Sequence, residues 1–146
     1  MRTVEELEAR LSEPSEELIR DLASVDGDII ILGAGGKMGP SLAKLAVRAI
    51  REGGLNKRVI GVSRFSDAEV REDLERSGVE IIAADILNED ELKNLPDAAN
   101  VIYMVGYKFG TTGKEHLAWA MNAYLPGRVA ERYKDSRIVV FSSGNV

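Results

Sequence analysis

Four glycines fall within the seven residues Gly33–Gly39, directly behind the apolar run DIIIL at residues 28–32. A continuous run of this kind suits a short strand buried on both faces of a parallel sheet. Leu42, Leu45, Ala46, Ala49 and Ile50 then recur at helical spacing, and Gly53 and Gly54 close that helix. A helix start offers free backbone N–H groups and the positive end of its dipole, which is where a phosphate group can sit. Gly33, Gly36 and Gly39 make G-x-x-G-x-x-G, and Gly33 with Gly35 opens G-x-G-x-x-G except that its last glycine is displaced by one. In a dinucleotide-binding turn the first glycine permits the tight bend, Gly35 and Gly36 let backbone approach a pyrophosphate, and Gly39 lets the helix pack closely. Pro40 is harmless in a first helical turn. A Walker A loop is excluded, because Lys37 is followed by Met38 and Ile31 stands where its first glycine belongs. A purely structural glycine turn is the other reading of the same residues.

The alternation of strand and helix continues to the end of the chain. RVIGVS is a second strand, followed by Ser66 with Glu69 as a capping box and a charged helix to about Ser77. VEIIAAD is a third strand, after which Asn88 with Glu91 opens a short helix. NVIYMV is the fourth, and the glycine-rich loop GYKFGTTG leads to a helix with Leu117, Ala120, Met121, Tyr124, Leu125, Val129 and Tyr133 on one side. RIVVFSS is the fifth. Such βαβ units have right-handed crossovers that put helices on both faces of a parallel sheet. The expectation is an α/β, doubly wound Rossmann sheet of five strands in the order 3-2-1-4-5, with the glycine turn where the order reverses. Pro126 lacks the N–H that would bond the Asn122 carbonyl in a continuous α-helix, so the helix should kink there with that carbonyl free.

Residues 1–26 read as a helical arm ahead of the sheet domain at 27–146. Thr3 with Glu6, and Ser12 ahead of Pro14, predict two short helices at about 3–11 and 13–24. Leu7, Leu11, Leu18, Ile19 and Leu22 would line their inward face. The arm is acidic, and either a solvated packing element or a partner-binding helix pair fits it.

Composition narrows the function. A net charge of −5 over 146 residues argues against nucleic acid or an anionic membrane as a broad partner. The chain has no cysteine and a single histidine, His116, so no zinc site is expected. Its longest apolar run falls far short of the ~20 residues that span a bilayer, and the start MRTVEELEARL is too acidic for a signal peptide. A soluble, cytoplasmic protein is the expectation.

From Asp28 to the end the chain resembles the extended short-chain dehydrogenase/reductase superfamily, the NAD-dependent epimerase/dehydratase family in particular. G-x-x-G-x-x-G after the first strand carries the resemblance, and AADI, VIYMVG and FSSGNV follow in the family's order. The resemblance implies that Asp85 accepts from the adenine amine and that Ile86 lies against the ring. It places Val105, Gly106 and Tyr107 beside the nicotinamide ribose and pyrophosphate, and makes Lys37 and Met38 backbone donors to the pyrophosphate. It assigns a catalytic hydroxyl to Ser143, three residues before Val146, and a supporting role to Asn122. On their residues alone, Asp85 also reads as a turn residue before a helix, and Ser142-Ser143 as a polar strand end.

One departure bears on activity. The superfamily's acid/base chemistry rests on Y-x-x-x-K, in which the lysine lowers the tyrosine pKa. This chain has none, since Tyr124 and Tyr133 are each followed four residues later by arginine. The expectation is therefore an N-terminal portion of a longer enzyme, itself inactive, whose parent acts on a nucleotide-sugar or similar hydroxyl/carbonyl substrate. A non-catalytic NADP-binding redox sensor is the alternative. At the end of the second strand, Ser63 and Arg64 stand where NAD-selective members place an acid, which favours NADP over NAD. An open edge on the fifth strand would favour a homodimer.

Overall fold

The computed structural model describes residues 3–107 and 112–142. Five parallel strands, β1 (Ile29–Leu32), β2 (Val59–Ser63), β3 (Glu80–Ala83), β4 (Asn100–Tyr103) and β5 (Arg137–Val140), form one sheet in the order β3-β2-β1-β4-β5. In the register, Ile30 lies beside Ile60 and Val101, and Leu32 beside Val62 and Tyr103. The helices of the sheet domain are α3 (Gly39–Glu52), α4 (Ala68–Ser77), α5 (Glu89–Lys93), α6 (Glu115–Trp119) and α7 (Leu125–Arg132), with α1 (Val4–Leu11) and α2 (Glu16–Ser24) ahead of them. The doubly wound order is the one the sequence predicts.

All four residues of β1 are buried because side chains alternate across the sheet and both faces are covered. Ile29 and Ile31 enter a core with Ala43, Val47, Ile50 and Leu74 from α3 and α4. Ile30 and Leu32 enter the other, with Leu92 of α5 and Leu125, Val129 and Tyr133 of and after α7. Each such side chain contributes about 1.5–3 kcal/mol by leaving water.

Between α6 and α7 the backbone widens into a π-helical turn, Ala120–Tyr124. The Leu125 N–H reaches back five residues to the Ala120 carbonyl. In that register the next donor would be Pro126, which has no N–H, so the carbonyl it orphans is that of Met121 rather than Asn122. The Tyr103 hydroxyl fills the gap, donating to Met121 O at 3.2 Å. The expected break is thus present, but it falls one residue earlier in the carbonyl row. The extra residue also turns Tyr124 off the inward face expected of it, leaving it 63% exposed while Leu125, Val129 and Tyr133 are buried.

Two helix starts differ from the sequence expectation, and a third keeps its cap but not its capping box. Ser12 does not open α2: it closes α1, its hydroxyl donating to Glu8 O at 2.9 Å, and α2 is capped by Ser15, whose Oγ accepts from Leu18 N at 3.2 Å. Ser66 does not cap α4. Asp67 does, accepting from the N–H groups of Glu69 and Val70 at 2.9 and 3.4 Å, because its carboxylate is the stronger acceptor and stands one residue closer. Asn88 caps α5 as expected, but Glu91 reaches past it to the Asp85 N–H at 2.8 Å.

The arm packs on α3. Ile19 of α2 abuts Gly53, and Leu22 packs against the core behind α3. Leu7 and Leu11, expected to face inward, instead lie 41% and 54% exposed. The cause is electrostatic: Lys44 of α3 pairs with Glu8, and Arg48 donates to Ala9 O and Ser12 Oγ, so α1 presents that polar side to the domain. Among the described residues no helix is long and apolar enough to cross a membrane.

Candidate functional site

The glycine turn sits at the C-terminal end of β1, where the strand order reverses between β2 and β4. Gly33 has φ of +95°, a conformation that side-chain-bearing residues rarely adopt, and its backbone passes so close to the segment leaving β4 that a Cβ would meet Met104 and Val105 atoms at 3.1 Å. At Gly39 a Cβ would stand 2.2 Å from the Ala34 carbonyl oxygen, so only glycine lets α3 start against the turn. The turn closes on itself through Gly36 N to Gly33 O at 3.0 Å and Gly39 N to Gly36 O at 3.2 Å. Among the described residues, the N–H groups of Gly35, Lys37 and Met38 have no backbone acceptor.

In front of this turn lies a cleft of about 240 Å³. Gly33, Gly35 and Gly36 form its floor, the end of β2 with Ser63, Arg64, Phe65 and Ser66 one wall, and Ala84, Asp85 and Ile86 after β3 the next. Met104, Val105, Gly106 and Met121 complete it. The structure therefore gathers Gly33, Gly35, Gly36, Ser63, Arg64, Asp85, Ile86, Val105 and Gly106 from four segments into one concavity. Lys37, Met38 and Gly39 lie outside its lining: Gly39 is buried beneath the turn and Met38 is 59% exposed.

Asp85 serves two ends at once. Its Oδ1 accepts from Leu87 N at 3.1 Å, which makes it the turn residue ahead of α5, while its Oδ2 has no partner among the described residues. The Glu91 carboxylate on the Asp85 N–H fixes the backbone there. At the end of β2 the nearest acid, Asp67, caps α4 through its Oδ1 and does not line the cleft, so among the described residues Asp85 is the carboxylate that shares the lining with Ser63 and Arg64.

Tyr107 and Asn122 belong to a neighbouring groove of about 740 Å³, bordered by Trp119, Pro126, Val140 and Phe141. Asn122 Oδ1 accepts from Tyr107 N at 2.8 Å, and Asn122 Nδ2 donates to Tyr107 O at 2.9 Å. The side chain thereby pins the segment leaving β4, and with it Gly106. The buried Tyr103 phenol beneath is pushed up to about 12 by loss of water. Ser143, the expected catalytic hydroxyl, lies outside the described residues. Those residues contain no group of three acid or histidine side chains that could hold a metal ion.

Sequence reasoning missed Phe65, which has φ of +46° and whose ring would lie 3.2 Å from a Cβ on Gly35. It also missed Ser66, Met104 and Met121 in the cleft wall. Nothing in an R-F-S-D tetrapeptide signals a left-handed phenylalanine, since Asn, Asp and Gly are the usual occupants of that region.

No protein-family model matches the chain, and no curated protein matches it. Solved structures do. The Bordetella bronchiseptica enzyme WbmF, determined with NAD+ and UDP, is 19% identical with a TM-score of 0.60, over 84% of this chain and 40% of that one. The ADP-L-glycero-D-manno-heptose-6-epimerase of Helicobacter pylori is 21% identical with a TM-score of 0.67, over 83% and 40%. The UDP-glucuronic acid 4-epimerase of Bacillus cereus, determined with NAD, is 23% identical with a TM-score of 0.61, over 80% and 40%. The chain thus spans about two fifths of the length of these enzymes, and it shares their fold.

Proposed function

We propose that residues 27–146 bind a nicotinamide dinucleotide as part of an enzyme of the epimerase/dehydratase kind, acting on a nucleotide sugar or a similar hydroxyl/carbonyl substrate. The observation that carries the reading is the floor of the cleft: backbone at Gly33, Gly35 and Gly36 lies bare at the strand-order reversal, ahead of an amphipathic helix. The names of the structural neighbours, two of them determined with NAD, support the same class. When bound, the dinucleotide supplies a hydride acceptor or donor.

This chain's residues hold and orient it. Free N–H groups of the turn and the start of α3 face the pyrophosphate. Asp85 Oδ2 accepts from the adenine amine, with Ile86 against the ring. Asn122 holds Tyr107 and Gly106 in place along the nicotinamide side. The oxygen-polarising role falls to Ser143, and the proton transfer that the resembled superfamily assigns to Y-x-x-x-K has no such motif in this sequence.

The cofactor reading is refined at Arg64. A 2′-phosphate would meet the Arg64 guanidinium at the end of β2, where the nearest acid, Asp67, turns its Oδ1 to the start of α4 and stays out of the cleft lining. Two charge-assisted hydrogen bonds on an open rim contribute about 1.5–3 kcal/mol, or roughly 10- to 100-fold in affinity for NADP over NAD. Calorimetric titration with both cofactors, before and after Arg64→Ala, tests this. The substitution should abolish the preference while leaving NAD affinity within about twofold. Equal affinities in the native chain, or a preference that survives the substitution, would show that Arg64 does not read the phosphate.

A further inference from the structure

The net charge of this protein lies at one end. Residues 1–26 hold eight acids and three bases, while residues 27–146 hold sixteen of each, so the whole excess of −5 belongs to the arm. On α1, Val4, Leu7 and Leu11 are 68%, 41% and 54% exposed. At spacings of three and four they share one side of the helix, within about 60° of arc. The other side is the attached one, through Glu8, Ala9 and Ser12 to Lys44 and Arg48. α1 is eight residues long and buries none of them, far below the ~12–15 residues at which an isolated helix becomes marginal in water. An apolar stripe that points away from its own domain, on a helix with so little else to hold it, has the form of a contact waiting to be covered.

We propose that α1 is a docking helix for a basic amphipathic helix of a partner protein. The partner's apolar side would lie along Val4, Leu7 and Leu11, and its lysines and arginines would meet the arm's field. Charge complementarity selects this occupant. A second copy laid α1 against α1 would bring two arms of −5 together, and an acidic partner would be repelled likewise. Helix-on-groove docking of this kind uses three or four apolar anchors at helical spacing, which is what the stripe supplies.

The test uses the full chain and a fluorescein-labelled amphipathic helical peptide of leucine and lysine as probe, read by anisotropy. Its controls are a leucine/glutamate peptide of the same apolar pattern and a leucine/lysine peptide scrambled to remove the face. The patterned basic peptide should bind, at least tenfold tighter than either control. Leu7→Ser with Leu11→Ser should weaken it at least tenfold, with the thermal melt unchanged because neither residue is buried. Amide shifts in the native complex should cluster at residues 4–12. Equal binding of the scrambled peptide would reduce the effect to bulk charge and overturn the proposal. So would equal binding by the double variant, which would put the site elsewhere, or a native dimer that the double variant dissociates, which would make a second copy the occupant.

Discussion

Asn122 grips the backbone of Tyr107 from both sides, accepting from its N–H at 2.8 Å and donating to its carbonyl at 2.9 Å. Removing the amide with Asn122→Ala frees both groups to water at an exposed site, so the cost to global stability is small, about 0.5–1.5 kcal/mol. The local effect is larger. Amide exchange at Tyr107 should accelerate at least tenfold and dinucleotide affinity should fall, whereas unchanged exchange at that amide would mean the segment is held by something else.

The glycines of the turn divide by role. Gly39→Ala drives a Cβ into the Ala34 backbone, with contacts at 2.2, 2.6 and 2.7 Å, and should destabilise the domain by about 1–3 kcal/mol or more in urea denaturation. Gly36→Ala meets only the Gly33 carbonyl oxygen at 3.3 Å. It should change stability by about 0.5 kcal/mol or less while reducing cofactor affinity at least tenfold. A Gly36 variant that binds normally would remove that residue from the site.

Tyr103 links β4 to the π-helical turn and titrates late. Its phenol stands at about 12 in the folded protein against 10 when unfolded. A group whose pKa is raised on folding stabilises fully below the unfolded value and loses that contribution as pH climbs through the folded one. Stability should therefore fall between pH 10 and 12, by up to about 1.4 kcal/mol per pH unit from this group. Tyr133, also raised by burial, acts in the same direction. Tyr103→Phe should cost about 0.5–1.5 kcal/mol at neutral pH, by orphaning Met121 O, and should flatten the alkaline fall. An alkaline limb identical to that of the native protein would contradict the assignment.

Among the described residues β5 pairs with β4 on one side only, and Val139 and Val140, on opposite faces of the strand, are 59% and 54% exposed. An uncovered apolar edge recruits another strand. Sedimentation should show concentration-dependent dimerisation of this chain, suppressed by Val139→Lys. A monomer at all concentrations would remove the edge as an association surface.

What could be read from residues alone follows the length scale of the interaction. The strand order and the Gly33–Gly39 turn were legible because burial on two faces and a bare backbone approach leave strong local patterns. Of the cleft residues, Ser63 and Arg64 were read from the end of the second strand, while Asp85 and Val105 came only from the family resemblance; all four line the cleft. The choice of Asp67 over Ser66 as cap was not legible, for both are good caps one residue apart. Nor was the outward turn of Tyr124, because the residue added in the π-helical turn Ala120–Tyr124 brings Leu125 rather than Tyr124 onto the inward face. The exposure of Leu7 and Leu11 depended on Lys44 and Arg48, some 35 residues away in sequence, capturing the opposite side of α1.

The central claim is that the cleft ahead of the glycine turn takes a nicotinamide dinucleotide. It is tested most directly by titrating ¹⁵N-labelled protein with NADPH and following backbone amides. Saturable shifts should concentrate at Gly33, Gly35, Gly36, Asp85, Ile86 and Val105, with the end of β2 at Ser63 and Arg64 moving less for NADH. Shifts that spare these residues, or none at millimolar NADPH, would contradict it.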